Sequence, residues 1–342
     1  MSPLNLPAQP AAPTHRPAPP LPPGPAPVAG YEILAHLTRT GWLDVYDAWS
    51  YERDCRCLVK MLRPDRRHEP RLRARLLREG RWLQAFNHPH LVRAYETVEM
   101  PEPLVVLETL TGETVAHLID RLRHRMAAHD LAFLGVHLCS ALHYLHGRDL
   151  LHLDVKPSNV TIDCRRAKLL DLSVARPPGP ADAGVGTPCY LAPEQALGGC
   201  LTAAADVWGV GITLYEAATG DLPFPEDVPT DSTSTTDFTT TDAEPAGESG
   251  AVPTPASPSD TYGRRHSYPQ LDGRAPPVGT RRRLPRELAV AIDACLEPDP
   301  AARPGIGSLA EAFDALLPSR RKDVEATALG PGTGQSLRED GT

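Results

Sequence analysis

Aromatic residues make up only 5% of this 342-residue chain, so the 41% hydrophobic content must fill any core mainly with Leu, Val and Ala. An excess of positive charge is also missing. The 35 Lys and Arg residues face 43 Asp and Glu residues, for a net charge of −8, which argues against a general nucleic-acid binder. No apolar run approaches the roughly 18 residues of a membrane span. The N-terminus lacks the charged-then-apolar layout of a secretory signal, so a cytoplasmic protein is expected. The cysteines do not suggest a disulfide framework. Cys55, Cys57, Cys139, Cys164, Cys189, Cys200 and Cys295 are odd in number and scattered, as befits reduced thiols. Cys55 and Cys57 would share one strand face, but no second Cys or His pair accompanies them, which argues against a metal site. No internal repeat is visible.

Proline is abundant, with 38 residues that cluster outside the apolar-periodic regions. Residues 1–30 are mostly Pro and Ala with few apolar anchors, so they are expected to be disordered or polyproline-like. Such a segment could dock on a proline-recognising module or remain a solvated tail. A second stretch, about 226–262, is rich in Thr, Ser, Asp and Pro and reads as a disordered insertion. Just beyond it, Arg264-Arg265-His266-Ser267 has the form of a basophilic phosphorylation motif, a short pattern that recurs freely by chance. The tail 319–342 is expected to be disordered as well.

Between these segments the length suggests about two domains. Tyr31 to Leu37 and Leu43 to Trp49 read as a hairpin, and Arg56 to Leu62 as a third strand. A helix is expected from Pro70 to Phe86, with Leu76, Leu77, Leu83 and Phe86 as its apolar stripe. Leu104 to Leu107 reads as a buried strand. Gly112 to about Arg125 and Leu131 to Gly147 read as amphipathic helices. Residues 268–285 read as irregular, and the last helices are expected within 284–317.

The chemistry concentrates in His152-Leu153-Asp154-Val155-Lys156-Pro157-Ser158-Asn159, followed by the β-like run Val160-Thr161-Ile162 and then by Asp171-Leu172-Ser173. A loop with two acids, an amide and a lysine could accept a hydroxyl proton, hold Mg²⁺ and neutralise a moving phosphoryl group. The stretch resembles the catalytic loop of eukaryotic-type Ser/Thr protein kinases of the bacterial, actinobacterial-like kind. Other segments extend the resemblance. They are Cys57-Leu58-Val59-Lys60, Glu79, His88-Pro89-His90-Leu91-Val92, Gly186-Thr187-Pro188-Cys189-Tyr190-Leu191-Ala192-Pro193-Glu194, Asp206-Val207-Trp208-Gly209, and Asp299-Pro300-Ala301-Ala302-Arg303.

The resemblance implies an α+β, bilobal kinase-like fold, with a small β-rich N-lobe over 31–110 and a larger helical C-lobe over 111–318. It implies transfer of the ATP γ-phosphoryl group to protein Ser/Thr hydroxyls, with ATP and Mg²⁺ (or Mn²⁺) as cofactors. Asp154 would deprotonate the hydroxyl, Lys156 would steady the γ-phosphate, and Asn159 and Asp171 would hold metal. Lys60, paired with Glu79, would hold the α- and β-phosphates. Glu108 and Leu110 would meet adenine through their backbones, and Leu37, Gly41 and Val45 would line the nucleotide. Thr187 would contact Asp154 and Lys156. Glu194 would pair with Arg303, and Asp206 would brace the catalytic loop.

The departures carry their own expectations. The family's His-Arg-Asp is here His152-Leu153-Asp154, and residues 173–186 contain a single hydroxyl, Ser173. Both the arginine that grips an activation-loop phosphate and the usual acceptor are missing, so no such phosphate should be needed. The family's glycine-rich loop is reduced to Gly41, with Thr38, Thr40 and Leu43 at the other glycine positions. Two classes therefore stand side by side: an active Ser/Thr kinase, and a pseudokinase that serves as a binding or scaffold module.

Overall fold

The computed structural model describes residues 18–122, 125–224 and 268–318. They divide into two compact units. The first comprises residues 18–87 and 92–109, and the second comprises 88–91, 110–122, 125–224 and 268–318.

The first unit is a six-stranded antiparallel sheet. Its strands are β1 (Gly24–Pro25), β2 (Tyr31–Arg39), β3 (Leu43–Ser50), β4 (Cys55–Leu62), β5 (Ala94–Val98) and β6 (Leu104–Glu108), in the order β1-β2-β3-β4-β6-β5. Helix α1 (Pro70–Ala85) packs on β5 and β6. It starts on Pro70, whose fixed φ suits a first helical turn, and buries Leu76, Leu77 and Leu83. The core collects alternate residues of the sheet, including Ile33, Tyr46, Ala48, Val59, Leu104 and Val106.

Order begins earlier than composition suggests. Residues 18–30 were expected to be disordered, but they have defined places. Val28 is buried, Leu21 packs against the core, the Leu21 N–H donates to Tyr46 Oη (3.0 Å), and Arg39 donates to the Ala18 carbonyl (2.7 Å). Two apolar anchors and one short strand pairing suffice there to offset the ordering entropy. The expectations for residues 1–17, 226–262 and 319–342, and the Arg264–Ser267 motif, lie outside the described residues.

The second unit contains β7 (Glu113–Thr114), α2 (Val115–Leu122), α3 (Ala128–His146), β8 (Val160–Asp163), β9 (Arg166–Leu169), β10 (Gly179–Ala181), α4 (Pro193–Leu197), β11 (Gly199–Leu201), α5 (Ala203–Thr219), α6 (Val278–Arg281), α7 (Arg286–Cys295) and α8 (Ile306–Asp314). Helix α5 is buried on almost every side, as a helix apolar all round must be. Thr202 caps its start by accepting from the Ala204 N–H, and left-handed Gly220 closes it. Two expectations need correction. The helix expected from Gly112 starts at Val115, because Glu113 and Thr114 pair with Ile162 and Thr161. The segment 268–285, expected to be irregular, carries a 3-10 turn at Pro269–Leu271 and the short helix α6. No helix among the described residues is long and apolar enough to cross a membrane.

One histidine pair in this unit makes stability depend on pH. His90 and His137 stack with ring centroids 4.0 Å apart and grip the backbone of one residue, Ala167, from its two sides. His90 Nδ1–H donates to the Ala167 carbonyl (2.8 Å), while His137 Nδ1 accepts from the Ala167 N–H (3.3 Å). Burial, with the charges of His90 and Arg166 adding to it, pushes His137 down from 6.5 to about 4. The unfolded chain therefore binds this proton first. The stabilisation is complete above about pH 6.5 and is lost as the pH falls toward about 4. The Tm of wild type should fall more steeply than that of His137→Gln between pH 7.5 and 5 (about the range in which His titrates). Parallel curves would sink the assignment.

Candidate active site

Strand β4 carries Lys60 between Val45 of β3 and Val105 of β6. Its Nζ donates to Glu79 Oε1 of α1 at 2.6 Å, and both side chains are buried. A buried lysine needs such a partner, since an unpaired charge there would cost several kcal/mol, on the order of 3–5.

The turn between β2 and β3 is closed on itself. Thr40 N–H donates to the Leu43 carbonyl (2.8 Å), and Thr40 Oγ1 accepts from the N–H groups of Leu43 (3.0 Å) and Trp42 (3.4 Å). Arg63 and Arg66 donate to the Gly41 carbonyl at 2.9 and 3.2 Å. Trp42 is buried, with the Arg75 guanidinium 4.6 Å from its ring centroid. At the foot of the turn Asp44 is fully buried and accepts from Arg39 (2.7 and 2.8 Å) and His36 (2.9 Å). Burial alone would raise its carboxyl, but those hydrogen bonds outweigh it and hold the group below the usual carboxylate range. Leu43 is buried, Thr38 is exposed, and Leu37 is the unpaired residue of a β-bulge. At the end of β6, Glu108 donates its N–H to the Arg93 carbonyl and accepts the Arg93 N–H on Oε1 (both 3.0 Å).

In the second unit, α3 ends at His146 and the chain turns through Asp149 into Leu151, which forms a two-way backbone bridge to Arg176. Asp206, at the start of α5, then fixes the loop. It accepts from the N–H groups of His152 (2.9 Å) and Leu153 (2.7 Å) and from His146 Nε2 (2.8 Å). Burial would raise this carboxyl too, but the surrounding donors hold it low. Gly209, one turn further along α5, lets the helix approach Val155, since a Cβ there would lie 2.8 Å from the valine Cβ.

Asp154 is surrounded by donors. Oδ2 accepts from Asn159 Nδ2 (2.9 Å) and pairs with Lys156 Nζ (2.8 Å), while Oδ1 accepts from Thr187 Oγ1 (2.6 Å). Lys156 also donates to Thr187 Oγ1. Asn159 spends its amide N–H groups on Asp154, so its carbonyl oxygen is the group it can offer to a cation. Its backbone carbonyl accepts from Leu170 N–H (2.8 Å), which sets Asp171 beside the loop. Asp171 is in the left-handed region (φ 61°) and accepts from Ser173 N–H (2.9 Å), while Leu172 is buried. Leu110 lies outside the regular elements of this unit.

A family profile described as Protein kinase domain matches residues 31–313. The chain belongs to the protein kinase domain family. This kinase domain is 35% identical over 217 residues to the serine/threonine-protein kinase PknB of Mycobacterium tuberculosis, covering 58% of this chain and 34% of the relative. It is 36% identical over 217 residues to PknB of Mycolicibacterium smegmatis, with the same coverage. It is 31% identical over 215 residues to the serine/threonine-protein kinase PksC of Streptomyces coelicolor, covering 58% of this chain and 39% of that protein. The match thus spans little more than a third of the length of these curated relatives.

Within the kinase domain, Lys60 and Glu79 meet in the first unit, and Asp154, Lys156, Asn159 and Thr187 meet in the second. Glu194 and Arg303 form a two-pronged pair at 2.7 and 2.9 Å. Sequence reasoning passed over Gln195 and Gln270. Both are buried, and both donate to backbone carbonyls of the segment around Thr187. A glutamine gives no sequence signal when its value depends on which carbonyls the fold brings to it.

Proposed function

We propose that the chain is an ATP-dependent Ser/Thr protein kinase that acts without an activation-loop phosphate. The observation that carries this reading is the cluster on Asp154, in which one carboxylate is held by a lysine, an amide and a threonine hydroxyl. A carboxylate aimed in this way is suited to accept a substrate hydroxyl proton, and Lys156 beside it is suited to balance charge on the transferred phosphoryl group. Lys60 would hold the ATP phosphates, with Leu37, Gly41, Val45, Glu108 and Leu110 contributing to the nucleotide pocket. Asp171 and the Asn159 carbonyl are hard oxygen donors of the kind Mg²⁺ takes, and the ion when bound would neutralise phosphate charge.

Independence from loop phosphorylation follows from Leu153. Its side chain is buried where a phosphate-gripping arginine would need to reach solvent, and residues 173–186 offer one hydroxyl, that of largely buried Ser173.

The closed β2–β3 turn favours a second reading, a pseudokinase scaffold. The N–H groups of Trp42 and Leu43 are taken by Thr40 Oγ1, so they are spent within the turn rather than offered to phosphate.

The deciding experiment is phosphate transfer from ATP, with Mg²⁺ or Mn²⁺, to the chain itself and to a generic basic protein, with nucleotide binding run alongside. Ser/Thr incorporation that disappears in Asp171→Asn establishes the kinase. Binding without transfer at either metal selects the scaffold reading.

A further inference from the structure

We propose that Gln195 is the positioning residue that takes over the work of an activation-loop phosphate, by tying the catalytic loop (residues 152–159) to the segment 185–194, which on this reading is the substrate loop, through its side-chain amide. The proposal rests on the reading of the chain as a phosphate-independent kinase.

The ordinary role for a glutamine at this position is modest. Gln195 is the third residue of α4, and its Oε1 accepts from the Ala192 N–H at 3.0 Å, one half of a capping box. A cap needs nothing more. The side chain nevertheless has a second end, and that end is fully used. Its Nε2 donates to the Leu153 carbonyl at 2.9 Å and to the Val185 carbonyl at 2.8 Å, in a residue that is 2% exposed. Both amide protons and one oxygen lone pair therefore join three separate segments, at 153, 185 and 192.

Two of those contacts lie next to the chemistry. The Leu153 carbonyl belongs to the peptide bond that leads into Asp154. Leu153 itself is in the left-handed region (φ 64°), a conformation that costs a bulky residue energy unless its surroundings hold it. Asp206 holds its N–H and Gln195 holds its carbonyl. The Val185 carbonyl leads into Gly186 and then Thr187, whose hydroxyl touches Asp154. Gly186 shows how tight the junction is. At φ 122° a Cβ on it would lie 2.7 Å from the Leu153 oxygen and 3.3 Å from Gln195 Nε2. Nothing larger than glycine fits where Gln195 draws the two loops together.

A second buried amide supports the same loop from its other side. Gln270 is also 2% exposed, and its Nε2 donates to the carbonyls of Pro188 (2.9 Å) and Leu191 (3.2 Å). Both of these hydrogen bonds go to residues 188–191 and neither reaches the Asp154 loop, so the two glutamines should act differently. Gln195 holds Asp154 and Thr187 together and should govern kcat, whereas Gln270 holds the shape of residues 188–191 and should govern the KM for the protein substrate.

The test uses the full chain treated with phosphatase and shown by intact mass to carry no phosphate. Gln195→Leu should lower kcat about 100-fold, the size of effect that an ångström of misplacement produces. Its KM for ATP should change less than about twofold. Gln270→Leu should raise the protein-substrate KM with kcat nearly unchanged. Gln195→Glu keeps the cap oxygen but faces two carbonyls with a carboxylate, so it should recover activity relative to Gln195→Leu as the pH drops and the acid becomes a donor. A loss of packing alone would not give this pH-dependent recovery. If Gln195→Leu does not fold, the Gln195→Glu pH profile decides. A folded Gln195→Leu protein with wild-type kcat, or a Gln195→Glu profile parallel to wild type, overturns the proposal. If dephosphorylated wild type is inactive and regains activity on phosphorylation, the underlying reading fails and the proposal falls with it.

Discussion

Asp154→Asn is expected to reduce phosphoryl transfer about 1,000-fold, within the range that removal of a general base produces, while the fold survives. The reason lies in its partners. Oδ1 accepts from Thr187, and Oδ2 faces two donors, Asn159 Nδ2 and Lys156 Nζ. Asparagine can accept through only one of its two branches. If its oxygen faces Thr187, its NH₂ points at the donors of Asn159 and Lys156; if it faces those donors, Thr187 loses its acceptor. The first orientation sets donor against donor, and the second makes the Thr187 hydroxyl accept where it had donated; either way the proposed base is lost and the hydrogen bonds of the loop are rearranged. ATP binding should persist, because Lys60 and Glu79 lie outside this cluster. The measurement is initial transfer rate beside nucleotide affinity. A variant with more than about a tenth of the wild-type rate would mean that the substrate hydroxyl is deprotonated elsewhere.

The sequence exposes those parts of the molecule in which one segment carries its own signal. Helix α1 is legible from Pro70 and its leucine spacing, and the strand that ends near Lys60 from its run of β-forming residues. The Asp154 loop is legible because three polar groups of complementary chemistry, Asp154, Lys156 and Asn159, fall within six residues. What escapes is structure made by distant partners. Strand β1 is a Gly-Pro dipeptide, and only its pairing with Glu32 and Ile33 makes it a strand. Likewise β10 and β11 contain Gly-Pro-Ala and Gly-Cys-Leu, sequences of low strand propensity, yet they pair in register across Gly179–Leu201. The β8–β9 hairpin turns through Cys164 and Arg165, both at positive φ, with none of the Asn or Gly that normally announce such a turn. Gln195 and Gln270 belong to the same class, since their hydrogen-bond partners lie up to 82 positions away.

The β2–β3 turn makes a related point about function. Read as sequence, Thr38, Thr40 and Leu43 look like obstacles to a nucleotide. In the structure Leu43 is buried in the first unit, so its side chain is not available as an obstruction. The constraint is of another kind: Thr40 takes up neighbouring N–H groups, and Arg63 and Arg66 pin the Gly41 carbonyl. Thr40→Gly would release the first of these restraints without touching the second, which separates a turn that is crowded from one that is tied.

The largest stability effect should come from Arg303. Its side chain is fully buried, and each of its five N–H groups has an acceptor. Nη1 serves Glu194 Oε1 (2.7 Å) and Ala204 O (2.8 Å), Nη2 serves Glu194 Oε2 (2.9 Å) and Pro298 O (3.1 Å), and Nε serves Glu297 O (2.8 Å). The guanidinium also lies 5.1 Å from the centroid of the Trp208 ring. Arg303→Met keeps most of the apolar stem but withdraws five donors from a carboxylate and three carbonyls. Breaking a buried pair from one side costs about 3–5 kcal/mol, and at about 2–4 °C per kcal/mol for a domain of this size Tm should fall by roughly 10 °C. Lysine keeps the charge but has three donors in a different geometry, so Arg303→Lys should recover less than half of the loss. Replacing both partners, Glu194→Gln with Arg303→Met, should cost less than the sum of the single changes, because no buried charge is then left alone. Thermal melts of the four proteins give the coupling directly. Additive losses would show that Glu194 and Arg303 act independently, and that the start of α4 is anchored by the backbone contacts of Arg303 rather than by the ion pair.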